Sequence, residues 1–357
     1  MQGSAEACVQ TYLDLAKVPA SSLTKVSTPC LDDHALAPED FETKGTLAKE
    51  AARIVLKTLY MARLLRIELY WTVNSLAREV TRWTVACDKR LHRLVSYIKH
   101  HNDHSLHSHV GDEPDACFLV WFSVASFAGD LKDSKSTSGG VLCILGPNTF
   151  APIIWLCKKQ GAVSHSSTEA EIIALDAGLR LEGIPALELW DKVVQYHIEY
   201  KASRQGERVR PQPTAMPFKE NFMTEQLARN LRASKDQQLD PEDSSHSPMI
   251  MELLSVDTVP TNVPLGKQYG QLILLEDNQA VIKICAKGRS PSLRHVQRTH
   301  RVDLDALYTQ LLTDPSLHIH FVGTKEQIAD ILTKGSFTEV AWRSLVRMVQ
   351  IGPRTHK

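Results

Sequence analysis

Three apolar, β-rich runs near the middle of the chain constrain its fold more than any other feature. They occupy residues 117–124, 139–145 and 150–157, and Gly-Pro-Asn turn residues separate the last two. Because the connections between the runs are short, we expect three strands arranged as an antiparallel meander.

A helical stretch follows the third run and carries two acidic side chains. Residues 164–178 begin with good N-cap residues and continue with Ala, Ile and Leu at helical spacing. Glu169 and Glu171 are two residues apart, so at most one of them can face a given site. Small residues share a stripe with Glu171, which suggests that the helix lies close against the sheet and directs Glu171 toward a strand end. Both glutamates also complete capping boxes, with Ser166 and Thr168, so an ordinary well-capped helix is the alternative interpretation.

The second half of the chain predicts two more strands and several helices. The strands are expected at 271–275 and 317–322, and the helices at 280–286, 302–312 and 339–351. The first of these strands ends in the acidic pair Glu276-Asp277, and a further helix, capped by Thr324 and Gln327, carries Asp330. This order of elements predicts the α/β class, with a mixed sheet and helices packed on its faces.

Patterning also divides the chain into regions. Residues 1–45 have weak periodicity, and three helices are expected after them, at 46–71, 73–83 and 85–100. The helix from Thr168 is expected to break near Pro185 and to continue to about residue 197. The predicted regions are an irregular lead-in (1–45), a helical region (46–110), a sheet domain in two pieces (117–199 and 267–335), a Pro-, Gln- and Ser-rich disordered insertion (200–266), and a C-terminal helix and tail (336–357).

Composition narrows the class of protein. Lys plus Arg equals Asp plus Glu, at 41 each, so the bulk charge predicts no polyanionic partner. The seven cysteines form no CxxC pair, which argues against a disulfide framework and favours a reducing compartment. No segment has the pattern of a signal peptide or a membrane span, so we expect no membrane partner and an intracellular protein, cytoplasmic or nuclear.

One local cluster of positive charge does favour nucleic acid. Between Asn278 and Val302 the chain has no acidic residue, and the basic residues there are Lys283, Lys287, Arg289, Arg294, Arg298 and Arg301. Lys158 and Lys159, at the end of the third apolar run, would extend this cluster. Such a cluster can bind phosphates, although a solvated helix and loop surface would look the same.

A histidine-rich tract lies between the helical region and the first strand. Histidines occur at positions 100, 101, 104, 107 and 109. Tracts of this kind can bind metal, but no cysteine or acidic pair completes a recognisable ligand set. A linker is the alternative interpretation.

Three carboxylates are candidate metal ligands. Glu171 lies early in the helix after the third strand, Asp277 follows a strand at the end where α/β sheets place ligands, and Asp330 is near the start of a later helix. If they converge, their oxygens suit two Mg²⁺ ions, which at roughly 4 Å separation activate a water and stabilise the leaving oxygen in phosphodiester hydrolysis.

Four motifs then occur in order: FAGDLKDSKSTSGG (127–140), WLCKKQGAVSHSSTEAEIIAL (155–175), LEDNQAVI (275–282) and EQIADILTK (326–334). Together they resemble the SDADWAGD…STSG, SKKQ…SSTEAE, DNQ and ADILTK signatures of the ribonuclease H region of copia-type retrotransposon polyproteins. The resemblance covers residues 118–195 and 270–335. Residues 46–100 more weakly resemble the segment that joins the reverse transcriptase to this region.

The resemblance implies a fold, a substrate and a catalytic set. The fold would be a ribonuclease H-like mixed sheet, with three antiparallel strands plus two more. The substrate would be an RNA–DNA hybrid, whose RNA strand is hydrolysed with two Mg²⁺ ions. In the family the catalytic residues are Asp, Glu, Asp and Asp, and the last three match Glu171, Asp277 and Asp330.

The first family aspartate has no match. Val124 holds its position and Ser126 replaces a neighbouring aspartate, so metal binding and activity are expected to be weakened. Asp130 is the nearest acidic residue that could substitute for it. No Tyr-x-Asp-Asp polymerase motif occurs. The alternative function is a non-catalytic retroelement remnant that keeps the fold and nucleic-acid binding, while a DDE-type integrase is disfavoured by the acidic spacing and by the STSG and ADILTK context.

Overall fold

A computed structural model describes most of the chain. The described residues are 3–129, 133–205, 269–288, 290, 293, 295–300 and 302–354. Beyond residue 205, the predicted insertion at 200–266 lies outside them. Within these ranges, no helix combines the length and the apolar character that crossing a lipid bilayer requires.

The core of the fold is a five-stranded mixed sheet. Its strands are β2 (Phe118–Ser126), β3 (Thr137–Gly146), β4 (Thr149–Lys159), β5 (Leu272–Glu276) and β6 (Leu317–Phe321), in the spatial order β4-β3-β2-β5-β6. Strands β2, β3 and β4 form the predicted antiparallel meander, and β5 and β6 run parallel to β2. The predicted α/β class is therefore confirmed. The carboxyl ends of β2, β5 and β6 meet at one edge of the sheet.

Helices cover both faces of this sheet. They are α1 (Ser4–Ala16), α2 (Pro38–Glu42), α3 (Ala51–Leu64), α4 (Tyr70–Arg78), α5 (Val85–His100), α6 (Ser167–Gly178), α7 (Ile184–Gln205), α8 (Gln279–Lys287), α9 (Val296–His300), α10 (Leu304–Thr313) and α11 (Glu339–Met348). Helices α6, α8 and α10 pack on one face, and the N-terminal helices pack with α11 on the other.

Alternating residues of β2 point to the two faces. Leu119 and Trp121 belong to the core under α6, whereas Val120, Phe122 and Val124 belong to the core under the N-terminal helices. Because that second core is continuous from α1 to the sheet, the helical region packs directly on the sheet.

The expected irregular lead-in is wrong, because residues 4–16 form α1. Its buried face consists of Ala5, Cys8 and Tyr12, which recur at helical spacing but include small side chains that give a weak periodic signal. The Tyr12 hydroxyl lies 2.8 Å from Nδ1 of His92 on α5, which ties this helix to the core.

Two predicted helix boundaries also differ from the structure. The helix expected over 46–71 ends at Leu64, where Arg66 and Glu68 form a buried ion pair of 2.5 Å and a 3₁₀ turn leads into α4. The break expected near Pro185 does not occur, because a π-helical turn (Leu179–Gly183) joins α6 to α7. Pro185 comes just after this wider π-helical turn, which keeps the chain helical through the proline, and residues 200–205 continue α7.

The histidine tract is part of the fold and is not simply a linker. Strand β1 (His104–Leu106) pairs antiparallel with β7 (Ile351–Pro353), so the helix predicted over 339–351 ends earlier, at Met348. His100 and His101 each place Nδ1 at 2.9 Å from a backbone carbonyl one turn back in α5.

Two glycines leave room for the Trp121 ring in the core between α6 and β3. A Cβ added at Gly178 would come within 2.3 Å of the Trp121 ring, and one at Gly140 within 2.0 Å. Trp121 is fully buried, so it has no room to move away. The absence of a side chain at Gly178 therefore sets how closely α6 approaches the sheet.

We expect Gly178→Ala to lower the free energy of unfolding by about 1–3 kcal/mol, because overpacking a filled core forces backbone shifts. Urea denaturation would measure this change. Gly161→Ala is the matched control, since its Cβ would meet nothing within 4 Å and stability should change little. Equal effects of the two substitutions would contradict the close-approach role of Gly178.

Candidate metal centre

The site lies where β2 and β5 end beside each other. In the parallel register, Ser123 of β2 is opposite Glu276, the last residue of β5. Because Leu272 and Leu274 of β5 point into the core under α6, alternation places the Glu276 side chain on that same face. Helix α6 therefore covers the strand end that carries Glu276.

Helix α6 brings Glu171 to this strand end. Ala170 and Ala174 pack on Ala125 of β2, and the backbone N–H of Ala125 donates a hydrogen bond to Oε2 of Glu171. This contact requires a close helix, which small side chains on both partners permit. The predicted direction of Glu171 toward a strand end is thus observed.

The capping of α6 involves the other glutamate. The N-cap is Ser166, whose hydroxyl accepts the N–H of Glu169 at 3.1 Å. Thr168 lies inside the helix, so the alternative capping box between Thr168 and Glu171 is not formed. The Glu171 carboxylate is consequently free to take part in a site.

Three carboxylates converge at the strand ends. Glu171, Glu276 and Asp277 each offer an oxygen, and these oxygens all lie within 4.8 Å of one another. Glu276 is fully buried: its Oε1 accepts the N–H of Asn278 at 3.3 Å, whereas Oε2 has no hydrogen-bond partner. In the sequence Glu276 stands out only as part of an acidic pair, and the motif resemblance matches Asp277 alone. An acidic residue that ends an apolar run was the available signal.

Asp330 approaches from the opposite face of the sheet. It lies in a short 3₁₀ helix (Ile328–Leu332) that packs on β2 and β3, so the predicted helix with Gln327 at its N-cap is present but is not an α-helix. Gln327 explains the difference, because its Nε2 donates to the carbonyl oxygen of Ser123 at 2.7 Å and its Oε1 accepts from Ala329. The segment is thereby pinned to β2. The Asp330 Oδ1 accepts from Nζ of Lys334 at 2.7 Å.

The electrostatics of the cluster show a shortage of positive charge. Burial, followed by the charge of Asp277, raises the pKa of Glu171 to about 8. Burial and the neighbouring Glu171 hold the pKa of Glu276 well above its usual range, and burial and Asp330 raise the pKa of Asp277. Lys334 acts in the opposite direction on Glu171 and Asp277. The cluster must therefore bind protons or an additional cation.

Val124 contributes nothing polar to the site. It is buried, pairs with Gly139 of β3, and packs in the core beneath the N-terminal helices. The hydroxyl of Ser126 accepts the N–H of Thr137 at 3.2 Å. Asp130, the candidate substitute, lies outside the described residues.

Several of the predicted nucleic-acid contacts are exposed on elements that begin or end next to these strand ends. Lys283 and Lys287 are exposed one turn apart on α8, and Arg298 is exposed on α9. Lys158 is exposed at the end of β4, while Lys159 pairs with Asp133 at 2.8 Å. Arg289, Arg294 and Arg301 lie outside the described residues.

Glu169 holds the basic segment beside α6. Its buried carboxylate is 3.1 Å from Nε2 of His295 and 3.3 Å from Nε2 of His300. His295 precedes α9 and His300 ends it, so this contact holds Arg298 near the first turn of α6. Neither glutamate is redundant: one faces the acidic cluster and the other anchors the basic segment.

Comparison with known proteins adds no relative. No protein-family model matches the sequence, and no curated protein or solved structure matches it either. Whether a metal ion fits this site is therefore judged from the side chains that could bind it. Three converging carboxylates and an unpartnered buried oxygen on Glu276 suit a hard divalent cation such as Mg²⁺. Elsewhere in the described ranges, the histidine tract included, no three His, Cys, Asp or Glu side chains come this close.

The pKa of Glu171 predicts how stability depends on pH in the absence of metal. The pKa of Glu171 is about 8 in the folded protein, against 4.5 for the unfolded group, so folding favours its protonated form. The stability that this protonation contributes is fully present below about pH 4.5 and is lost as the pH rises through 8. In EDTA, Glu171→Gln should therefore raise the melting temperature at pH 8.5 and change it little at pH 5.

The exposed Glu188 on α7 provides the control for that experiment, because Glu188→Gln should shift melting equally at both pH values. A lower melting temperature for Glu171→Gln at pH 8.5 would contradict the conclusion that the acidic cluster has too little positive charge around it.

Proposed function

We propose that this chain is a ribonuclease H domain of a copia-type retroelement and that it binds RNA–DNA hybrids. One observation carries the proposal: the three positions matched by the motif resemblance come from separate segments, yet Glu171 and Asp277 lie together at the strand ends and Asp330 is near enough to raise the pKa of both. A mixed sheet with a three-stranded meander followed by two parallel strands supports the ribonuclease H-like assignment.

The proposed reaction is hydrolysis of the RNA strand. Bound Mg²⁺ would supply activation of a water and stabilisation of the leaving oxygen. The motif resemblance implies Glu171, Asp277 and Asp330 as the residues that would hold it, and Glu276 adds a carboxylate to the same cluster. The N–H of Ala125 orients the Glu171 carboxylate, and Gln327 holds the Asp330 segment against β2.

Val124 limits this activity in the proposal. A buried valine offers no oxygen where the family has an aspartate, so wild-type turnover is expected to be weak. The same observation favours the second candidate function, a retroelement remnant that binds hybrids without cleaving them. Either way, the basic residues around the strand ends would contact the phosphates.

Cleavage of a labelled RNA–DNA hybrid with Mg²⁺ separates these functions. The wild-type chain, Val124→Asp and the double variant Val124→Asp/Asp277→Asn would be compared. We expect Val124→Asp to raise the cleavage rate at least about tenfold, because a restored carboxylate would strengthen binding of the Mg²⁺ that stabilises the developing charge. Circular dichroism would verify that this variant folds, since position 124 borders the apolar core. The double variant should be inactive.

Cleavage by Val124→Asp alone would identify the natural chain as a catalytic remnant, while rapid wild-type cleavage would show that another carboxylate already serves. No cleavage by any variant, together with no hybrid binding, would overturn the proposed function.

Hybrid binding should depend on the exposed lysines of α8. Replacing both Lys283 and Lys287 with alanine should weaken binding and reduce the slope of log affinity against log salt by about 1–2, since each phosphate contact releases roughly one counterion. Fluorescence anisotropy over a salt series would measure it.

Alanine at both Lys49 and Lys192 provides a control with equal charge change, because these lysines are exposed on other surfaces. Lys192 follows Asp191, which accepts the N–H of Gly270 at the opposite end of β5 from the site. If both double variants behave alike, the basic residues of α8 form only a solvated surface.

A further inference from the structure

Glu276 adds a carboxylate to the site, whereas Val124 removes the one that the resembled family has at that position. The Glu276 side chain has no exposed surface, one of its carboxylate oxygens lies within 4.8 Å of oxygens of Glu171 and Asp277, and its Oε2 has no hydrogen-bond donor. A buried carboxylate without a donor or a cation costs several kcal/mol. Among the described residues, no lysine or arginine forms an ion pair with it.

The strand register relates Glu276 to Val124. Glu276 lies opposite Ser123, the residue that precedes Val124 on β2, so the two backbone positions are one residue apart on adjacent strands. Their side chains point to opposite faces, Val124 toward the N-terminal helices and Glu276 toward α6. A carboxylate at Glu276 therefore compensates for Val124 only if the cation lies on the α6 side of the strand ends.

Lys334 supplies positive charge on the other side. Its ammonium group donates to Asp330 at 2.7 Å and lowers the pKa values of Glu171 and Asp277. Asp330 is thereby partly neutralised, with one oxygen already engaged. Val124 and Lys334 together leave few free ligands for a second cation near Asp330.

We propose that the site binds one hard divalent cation through Glu171, Glu276 and Asp277, and that Val124, with Asp330 engaged by Lys334, leaves too few ligands for a second. The proposal rests on the proposed function for the choice of a hard cation, and it differs from the family resemblance, which implies two ions. One divalent cation and one ammonium offset three of the four negative charges of Glu171, Glu276, Asp277 and Asp330. A second divalent ion would give the cluster a net positive charge.

Binding of Mn²⁺ to the full chain, followed by electron paramagnetic resonance and calorimetry, tests this directly. The wild type should bind one Mn²⁺. Glu276→Gln should weaken its affinity at least about tenfold, because even the loss of a group that only supports a metal ligand costs about that much. Asp330→Asn should weaken it less than about threefold, because Asp330 is engaged by Lys334. Circular dichroism would verify that each variant is folded.

Two further variants probe the second position. Lys334→Ala combined with Val124→Asp frees Asp330 and adds a ligand, so it should bind a second Mn²⁺. Two ions in the wild type, equal affinity losses for Glu276→Gln and Asp330→Asn, or no Mn²⁺ binding at all would each overturn the one-cation site.

These outcomes are separable from the proposed function, which hybrid binding and cleavage decide. A chain that cleaves hybrids with two bound ions would refute only the inference about Glu276 and Lys334. A chain that binds one Mn²⁺ through Glu276 but has no affinity for hybrids would refute only the proposed function.

Discussion

The concentration of negative charge at the ends of β2 and β5 is the constraint on which the rest of this structure depends. Four carboxylates gather where α6 and the 3₁₀ segment meet the sheet, and burial raises the pKa values of at least three of them. Removing these groups from water costs free energy, and the apolar cores on the two faces of the sheet must offset that cost for the protein to fold. Such local strain in a stable scaffold is typical of a functional site.

Close packing between α6 and the sheet positions the Glu171 carboxylate. Glycines at positions 140 and 178 allow Trp121 to fill the space between α6 and the sheet, and alanines bring the helix onto Ala125. The Glu171 carboxylate can then accept a hydrogen bond from a backbone N–H of β2. A longer side chain between the helix and the sheet would prevent this contact. The position of the carboxylate thus depends on small residues that carry no chemistry of their own.

The N-terminal helices have a corresponding role on the other face. They complete the core under Val120, Phe122 and Val124, and the segment that carries Asp330 packs into this same core. The helical region is therefore part of the support of the site.

The sequence by itself determined the strands of the meander, the helix that carries Glu171, and the candidate ligands Glu171, Asp277 and Asp330, since each follows from local periodicity or from a motif. Only the tertiary structure decided that residues 4–16 are helical, that Asp330 lies in a 3₁₀ segment, and that Glu276 belongs to the acidic cluster. The burial of α1, the hydrogen bond from Gln327 to Ser123, and the register of β5 on β2 are all contacts between residues distant in the chain. A local pattern does not contain such contacts, because they arise only when the two faces of the sheet are packed.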